Sequence, residues 1–287
     1  MSVERLNPNA LTFDEALELG HVIARSFSED RLFRHVAGEL MNGMDLAAGL
    51  TSTPTLGLSG INGPKERADK AAYDLIATTW ARCVYQLAHT PGIDIYRVLD
   101  KQGATVGVAM WRYPEYMWPQ LEYDLDRTGW LFWFKRLYVS LRMAITHLIK
   151  FKLPRRENPV FNARLAKFSA DRRSVFLSKM TDTDFYKIPP SEIDGTLYPE
   201  KFMLYLMVFG VLPQCRGLGY GKKLLQASLD TIPNTKLRTR NKLYPQKIHL
   251  EATDDGYPLY LKHGFEPINE HYNKAIGYHS TYMILKR

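Results

Sequence analysis

Along the first ninety residues the apolar positions recur at helical spacing. Thr12 stands three residues before Glu15, a pairing that caps helices. Ala16, Leu17, Leu19, Val22, Ile23 and Phe27 follow, so residues 12–38 are expected to form one or two helices. Residues 41–66 are rich in Gly, Thr, Ser, Pro and Asn and read as a long surface loop. A further helix is predicted over 67–88, with Ala72, Leu75, Ile76, Trp80, Val84 and Leu87 apolar.

The period then changes. Ile93–Leu99 and Thr105–Tyr113 flank Asp100, Lys101, Gln102 and Gly103, the pattern of a β-hairpin. Residues 114–200 fit no simple strand pattern and read as an insertion, with a helix at 129–151 and prolines at 189, 190 and 199. An apolar strand runs from Phe202 to Val211, followed by a glycine-rich turn and a helical run through Asp230. Lys247–Ala252 is expected to be a strand, Asp254–His263 a short helix, and Tyr278–Lys286 a closing strand. This order predicts a mixed α/β (α+β) layer fold in one domain, with at least one parallel crossover.

Composition narrows the field. The chain has 287 residues, of which 45% are hydrophobic and 24% charged. Those values suit a globular protein and exclude collagen-like and disordered chains. Two cysteines, Cys83 and Cys215, give neither a disulfide framework nor a cysteine zinc site. The eight histidines show no metal-binding spacing, so no metal is expected. The N-terminus lacks the apolar core of a secretory signal, and its early acidic residues argue against a transit peptide. A cytoplasmic protein is therefore expected.

The chemistry concentrates in one stretch. The strand ending Phe209-Gly210-Val211 leads into Arg216-Gly217-Leu218-Gly219-Tyr220-Gly221, and a helix begins at once. Glycines allow backbone angles that side chains forbid and let a ligand approach closely. A helix N-terminus adds free N–H groups and a positive dipole end, which together suit a phosphate. A nucleotide-triphosphate loop needs Ser or Thr after its Lys, but Lys223 follows Lys222. The dinucleotide fingerprint needs Gly-x-Gly-x-x-Gly, whereas the glycines stand at 217, 219 and 221. What remains is Arg-x-x-Gly-x-Gly.

In this respect the chain resembles the GNAT superfamily of N-acetyltransferases, whose pyrophosphate loop reads Gln/Arg-x-x-Gly-x-Gly/Ala. Arg216, Gly219 and Gly221 match it. A second match follows: Ile248-His249-Leu250-Glu251-Ala252-Thr253, then Leu259-Tyr260-Leu261-Lys262-His263-Gly264-Phe265, similar to the family's fifth strand and the helix behind it. The close resemblance covers about 202–287, and the Leu-Glu-Ala-Thr wording is similar to the puromycin-acetyltransferase-like branch.

The resemblance implies acetyl-CoA as cosubstrate, a GNAT-like mixed sheet with splayed parallel strands, helices on both faces, and direct attack by a primary amine in a ternary complex. Backbone groups at Phe209, Gly210 and Val211 would bond the pantetheine arm, and the N–H groups of residues 216–221 the pyrophosphate. Tyr260 stands where the family keeps its general acid. Glu251 and His249, two apart on one strand, share a face and are the candidate bases. Thr253 stands where many relatives have an Asn that helps hold the cofactor. Cys215 reads as structural. Transfer of a longer acyl chain is the alternative enzymatic reading; a non-catalytic CoA-binding or membrane-peripheral module is the alternative from another class.

Charge adds one more feature. The formal +8 is not spread evenly: residues 130–173 hold eleven Lys and Arg against Glu157 and Asp171. The rest of the chain is close to neutral. At 100° per residue, Lys135, Arg136, Ser140, Arg142, Thr146, His147 and Lys150 share one arc of the 129–151 helix, and apolar residues fill most of the remainder. A packed helix with a solvated basic face is the first reading. A wall of the acceptor pocket is the second, and membrane-surface contact the third. Lys236, Arg238, Arg240 and Lys242 alternate with neutral residues and suit a solvated loop. No nucleic-acid motif is present, and a small-molecule amine is the expected partner; the sequence leaves the oligomeric state open.

Overall fold

The backbone is a computed structural model. It describes residues 1–7, 10–31, 64–88, 90, 92–114, 117, 133–134, 137–138, 141, 145, 203–234, 237–238, 243–244, 246–274 and 277–287. The elements in chain order are β1 (Ser2–Arg5), α1 (Phe13–Ser26), α2 (Pro64–Ala88), β2 (Ile93–Leu99), β3 (Thr105–Arg112) and β4 (Leu204–Val211). Then follow α3 (Tyr220–Asp230), β5 (Leu237–Arg238), β6 (Leu243–Tyr244), β7 (Lys247–Ala252), α4 (Tyr257–Lys262), β8 (Glu266–Asn273) and β9 (Tyr278–Lys286). Most of the expected insertion at 114–200, and residues 41–63 of the loop expected over 41–66, lie outside the described residues; residues 64–66 of that expected loop are helical.

Local chemistry sets the element boundaries. Thr12 caps α1 as its spacing predicts: the Glu15 N–H donates to the Thr12 hydroxyl at 3.2 Å, and the Glu15 carboxylate accepts from the Thr12 N–H at 3.0 Å. Pro64 opens α2 three residues earlier than expected, a first-turn position where its missing N–H costs nothing. Between β2 and β3 the Asp100 carboxylate accepts from the N–H groups of Gln102 and Ala104, and Gly103 takes a φ of 84°. Helices α1 and α2 cross at Gly20, where a Cβ would lie 2.6 Å from the Ala81 nitrogen. Only glycine lets them approach so closely.

Seven strands form one sheet in the order β1-β2-β3-β4-β7-β9-β8. Every neighbouring pair is antiparallel except β4 and β7, which run parallel and are joined through α3. That is the crossover the sequence predicts. Trp111, Tyr96, Phe265, Met110, Leu204 and Leu224 are fully buried in the core between sheet and helices. Each such side chain contributes about 1.5–3 kcal/mol through removal from water.

Three elements depart from expectation. Strand β1 is four residues long and half charged; it joins the sheet through Arg97–Glu4 and Arg5–Asp94 ion pairs, both at 2.9 Å. Strand β8 is mostly polar, with Ile268 its one aliphatic residue besides Pro267, and sits at the sheet edge, where Pro267 is tolerated. The region read as a solvated loop around 236–242 contains β5, which pairs with β6 just beyond it as a small antiparallel ladder.

Candidate functional site

Strands β4 and β7 are paired at three positions: Leu204 with Ile248, Tyr205 with His249, and Leu206 with Leu250. There the pairing stops. On the other side of β4 the register with β3 skips Met207, because Trp111 faces Leu206 and Met110 faces Val208. One extra residue on one strand is a β-bulge, which bends that strand and sharpens its twist. The bulge therefore coincides with the point where β4 turns away from β7. From Met207 to Val211 the β7-facing edge of β4 borders a cleft instead of a strand.

The cleft has a volume of about 1650 Å³. That exceeds the usual pocket for one small ligand and leaves room for a long cosubstrate together with an acceptor. Strand β4 contributes Met207, Phe209, Gly210 and Val211; Glu251 comes from β7, Thr253 follows that strand, and Leu259 and Tyr260 come from α4.

The glycine turn closes the wide end. Gly217 and Gly219 have φ values of 75° and 85°, and a Cβ on either would meet nothing within 4 Å. The space above them is open to a ligand. The first bond of α3 runs from the Lys223 N–H to the Gly219 carbonyl, so the N–H groups of residues 220–222 have no acceptor within the helix. The Arg216 N–H differs from the others expected to face a ligand: it donates to the Pro213 carbonyl at 3.2 Å. Leu218 is 64% exposed, and Tyr220 packs against the core, so neither lines the cleft with its side chain.

The Arg216 side chain is a tether. Its Nη2 donates to the Ser26 carbonyl at 2.7 Å, and its Nη1 lies 3.7 Å from Glu29 and 3.6 Å from Asp255. It thus joins the end of α1 to the turn before α4 across the glycine loop. A second tie lies farther along, where Arg31 Nη1 donates to the Gly277 carbonyl at 3.1 Å. Gly210 permits this arrangement, since a Cβ there would lie 2.7 Å from the Ser26 Cβ.

The three candidate proton-transfer groups have different settings. Tyr260 lines the cleft yet is only 5% exposed, with its ring edge-on to Phe209 (5.9 Å) and Phe265 (5.8 Å). Burial, with a smaller contribution from Tyr205, raises its pKa above the ordinary phenol value, so the hydroxyl stays protonated. Glu251 lines the cleft, and the Tyr278 hydroxyl donates weakly to its Oε1 at 3.5 Å. His249 is not among the described cleft residues. Its ring stacks on Tyr205, and burial lowers its pKa to about 3, which keeps it neutral at physiological pH and makes it a poor base. Cys215 packs against the core, and burial pushes its thiol up, away from the thiolate form.

Several cleft residues were not evident from sequence: Phe27, Arg31, Trp80, Tyr205, Tyr272 and His279. Tyr205 had a detectable signal, because it shares alternation with Met207 and Phe209 on β4. Phe27, Arg31 and Trp80 reach the cleft from elements far away in sequence, and Tyr272 and His279 from the last two strands, where no local pattern marks them.

No protein-family profile matches the chain, and no curated protein does. Among solved structures the chain is similar to a Corynebacterium glutamicum protein described as histone acetyltransferase HPA2 and related acetyltransferase. The identity is 16%, over 99% of this chain and 96% of that one, with a TM-score of 0.45. It is also similar to arylalkylamine N-acetyltransferase 2 from Aedes aegypti, at 10% identity over 100% and 99% of the two chains and a TM-score of 0.42. A third is an N-acetyltransferase from Staphylococcus aureus, at 13% identity over 91% and 98%, with a TM-score of 0.35. None of the three is described as a puromycin acetyltransferase.

Proposed function

We propose that the protein is a GNAT-type N-acetyltransferase that moves an acetyl group from acetyl-CoA to a primary amine within a ternary complex. One observation carries the reading: the two central parallel strands separate after Leu206 and Leu250, with the Arg-x-x-Gly-x-Gly turn at the wide end. A strand edge bordering the cleft suits the amides of a pantetheine arm. Open space over Gly217 and Gly219, beside the N-terminal N–H groups of α3, suits a pyrophosphate.

In this reading acetyl-CoA supplies the activated acetyl group. Backbone N–H groups of the β4 edge near Phe209–Val211 polarise the thioester carbonyl and stabilise negative charge on its oxygen. Glu251 takes the proton from the incoming ammonium, so that the amine nitrogen bonds to the carbonyl carbon. The carbon–sulfur bond breaks, Tyr260 gives its proton to the departing sulfur, and the second proton lost by the nitrogen restores the Tyr260 phenol, leaving the neutral amide and the CoA thiol. A phenol held above its ordinary pKa remains a competent donor here, because the same dry surroundings also raise the basicity of the thiolate. His249 takes no part in the proton transfers; it positions Tyr205 in the cleft wall.

The test is release of free CoA thiol when the protein is given acetyl-CoA and a panel of polyamines, amino acids, small amines and peptide N-termini. Turnover with an amine supports the reading. Binding of CoA with no turnover on any acceptor would reduce the protein to a CoA-binding module.

A further inference from the structure

The six described residues of the 129–151 segment present themselves in the opposite sense from a packed helix. Trp133, Phe134, Leu137, Tyr138, Leu141 and Ile145 are helical, and each is between 47% and 64% exposed. At 100° per residue these six positions fall within an arc of about 140°, the apolar arc of the helix. They rise about 18 Å along the axis. Trp133 and Phe134 meet edge to face, with ring centroids 5.1 Å apart, at one end of the stripe. A helix that packs on a core hides this arc, whereas here the arc faces outward. The six are also absent from the described residues that line the cleft.

A contiguous exposed apolar face of this kind marks an interaction surface. Its surroundings in sequence identify the occupant. In the sequence Lys135 follows Phe134 and Arg142 follows Leu141, and the segment 130–173 carries eleven basic residues against two acidic ones. Aromatic and aliphatic residues on one arc with Lys and Arg flanking it is the composition of a helix lying in the headgroup layer of an anionic bilayer. Among the described residues no helix is long and apolar enough to cross a membrane. The geometry points to the face formed by Trp133, Phe134, Leu137, Tyr138, Leu141 and Ile145 as a docking face for an anionic lipid membrane. This inference is independent of the acetyltransferase reading.

The experiment is co-sedimentation of the full chain with large unilamellar vesicles, either pure phosphatidylcholine or phosphatidylcholine with about one-third phosphatidylserine. Binding at least about tenfold tighter to the anionic vesicles is expected, weakening as salt is raised. Combined Trp133→Ser, Leu137→Ser and Leu141→Ser should abolish it while leaving the circular dichroism spectrum unchanged, because the replaced side chains are exposed. Combined Lys135→Glu, Arg136→Glu and Arg142→Glu, which leaves the apolar arc intact, should weaken anionic binding on the order of a hundredfold. Absence of vesicle binding, equal binding to both compositions, or binding that survives the serine changes would overturn the proposal. Reversible dimerisation lost in the serine variant, without vesicle binding, would assign the face to a second copy and overturn it as well.

Discussion

The imidazole of His249 lies flat against the phenol ring of Tyr205, with centroids 4.5 Å apart and planes 10° from parallel. The two residues are register partners on the parallel strands, so the stack closes the seam one position before the strands part.

That placement predicts an acid-sensitive fold. The folded-state pKa of His249, about 3, lies below the ordinary 6.5, so on acidification the unfolded chain takes up the proton first. The stability is fully present above pH 6.5 and is lost as pH falls toward 3. At pH 5 the loss attributable to this one group is on the order of 2 kcal/mol. His249→Gln should cost stability at pH 7 yet flatten the pH dependence between 6.5 and 5 in urea titrations. A wild-type-minus-variant difference that does not change with pH would sink the account.

Tyr260→Phe keeps the ring that packs between Phe209 and Phe265 and removes only the hydroxyl. Turnover should fall about 10²–10⁴-fold, while CoA binding by calorimetry stays within a few-fold. Unchanged turnover would remove Tyr260 from the chemistry.

Glu251→Gln leaves the cleft shape intact and removes the proton acceptor. The rate near neutral pH should drop on the order of 10²-fold and recover as pH approaches the pKa of the amine, where free amine no longer needs a base. A pH–rate profile parallel to that of the wild type would rule out Glu251 as the base.

Two glycines separate ligand binding from scaffold integrity. Gly219→Ala meets no atom within 4 Å and costs only the left-handed backbone penalty, about 1–2 kcal/mol, but it should weaken CoA binding at the turn. Gly210→Ala instead pushes its Cβ against Ser26 and Phe27, displacing the end of α1 at a cost of about 1–3 kcal/mol. Melting temperatures with and without CoA should show a smaller ligand-induced rise for Gly219→Ala. For Gly210→Ala they should show a lower baseline.

The sequence announces those parts of the molecule whose chemistry is local. The capping pair Thr12–Glu15, the Asp100–Gly103 turn and the strands Lys247–Ala252 and Tyr278–Lys286 lie where periodicity and turn residues place them. Strands β1 and β8 escape because edge strands face water and carry charge in place of an apolar alternation. The bulge at Met207 escapes for a different reason: a skipped register is a property of two strands together. The Arg216 tether shows the same limit, since Ser26 lies 190 residues away from it in the chain. Among the proton-transfer candidates, strand alternation puts Glu251 and His249 on one face but cannot show that one borders the cleft while the other lies beneath Tyr205.

The parting of β4 from β7 also bears on how the protein avoids sticking to itself. An unpaired strand edge recruits other chains, and this sheet carries one in its middle in addition to those at its margins. At the outer margin β8 is blunted by Pro267 and by Glu266 and Glu270. The inner edge, Met207–Val211, has no such blunting; its residues are apolar or glycine. It is sheltered by being recessed: the end of α1 is tied over the cleft at Arg216 and Arg31, and α4 stands on the far side. The Arg31 and Arg216 ties thus act as guards against aggregation, and cutting both should expose the protein to strand addition at high concentration before it unfolds.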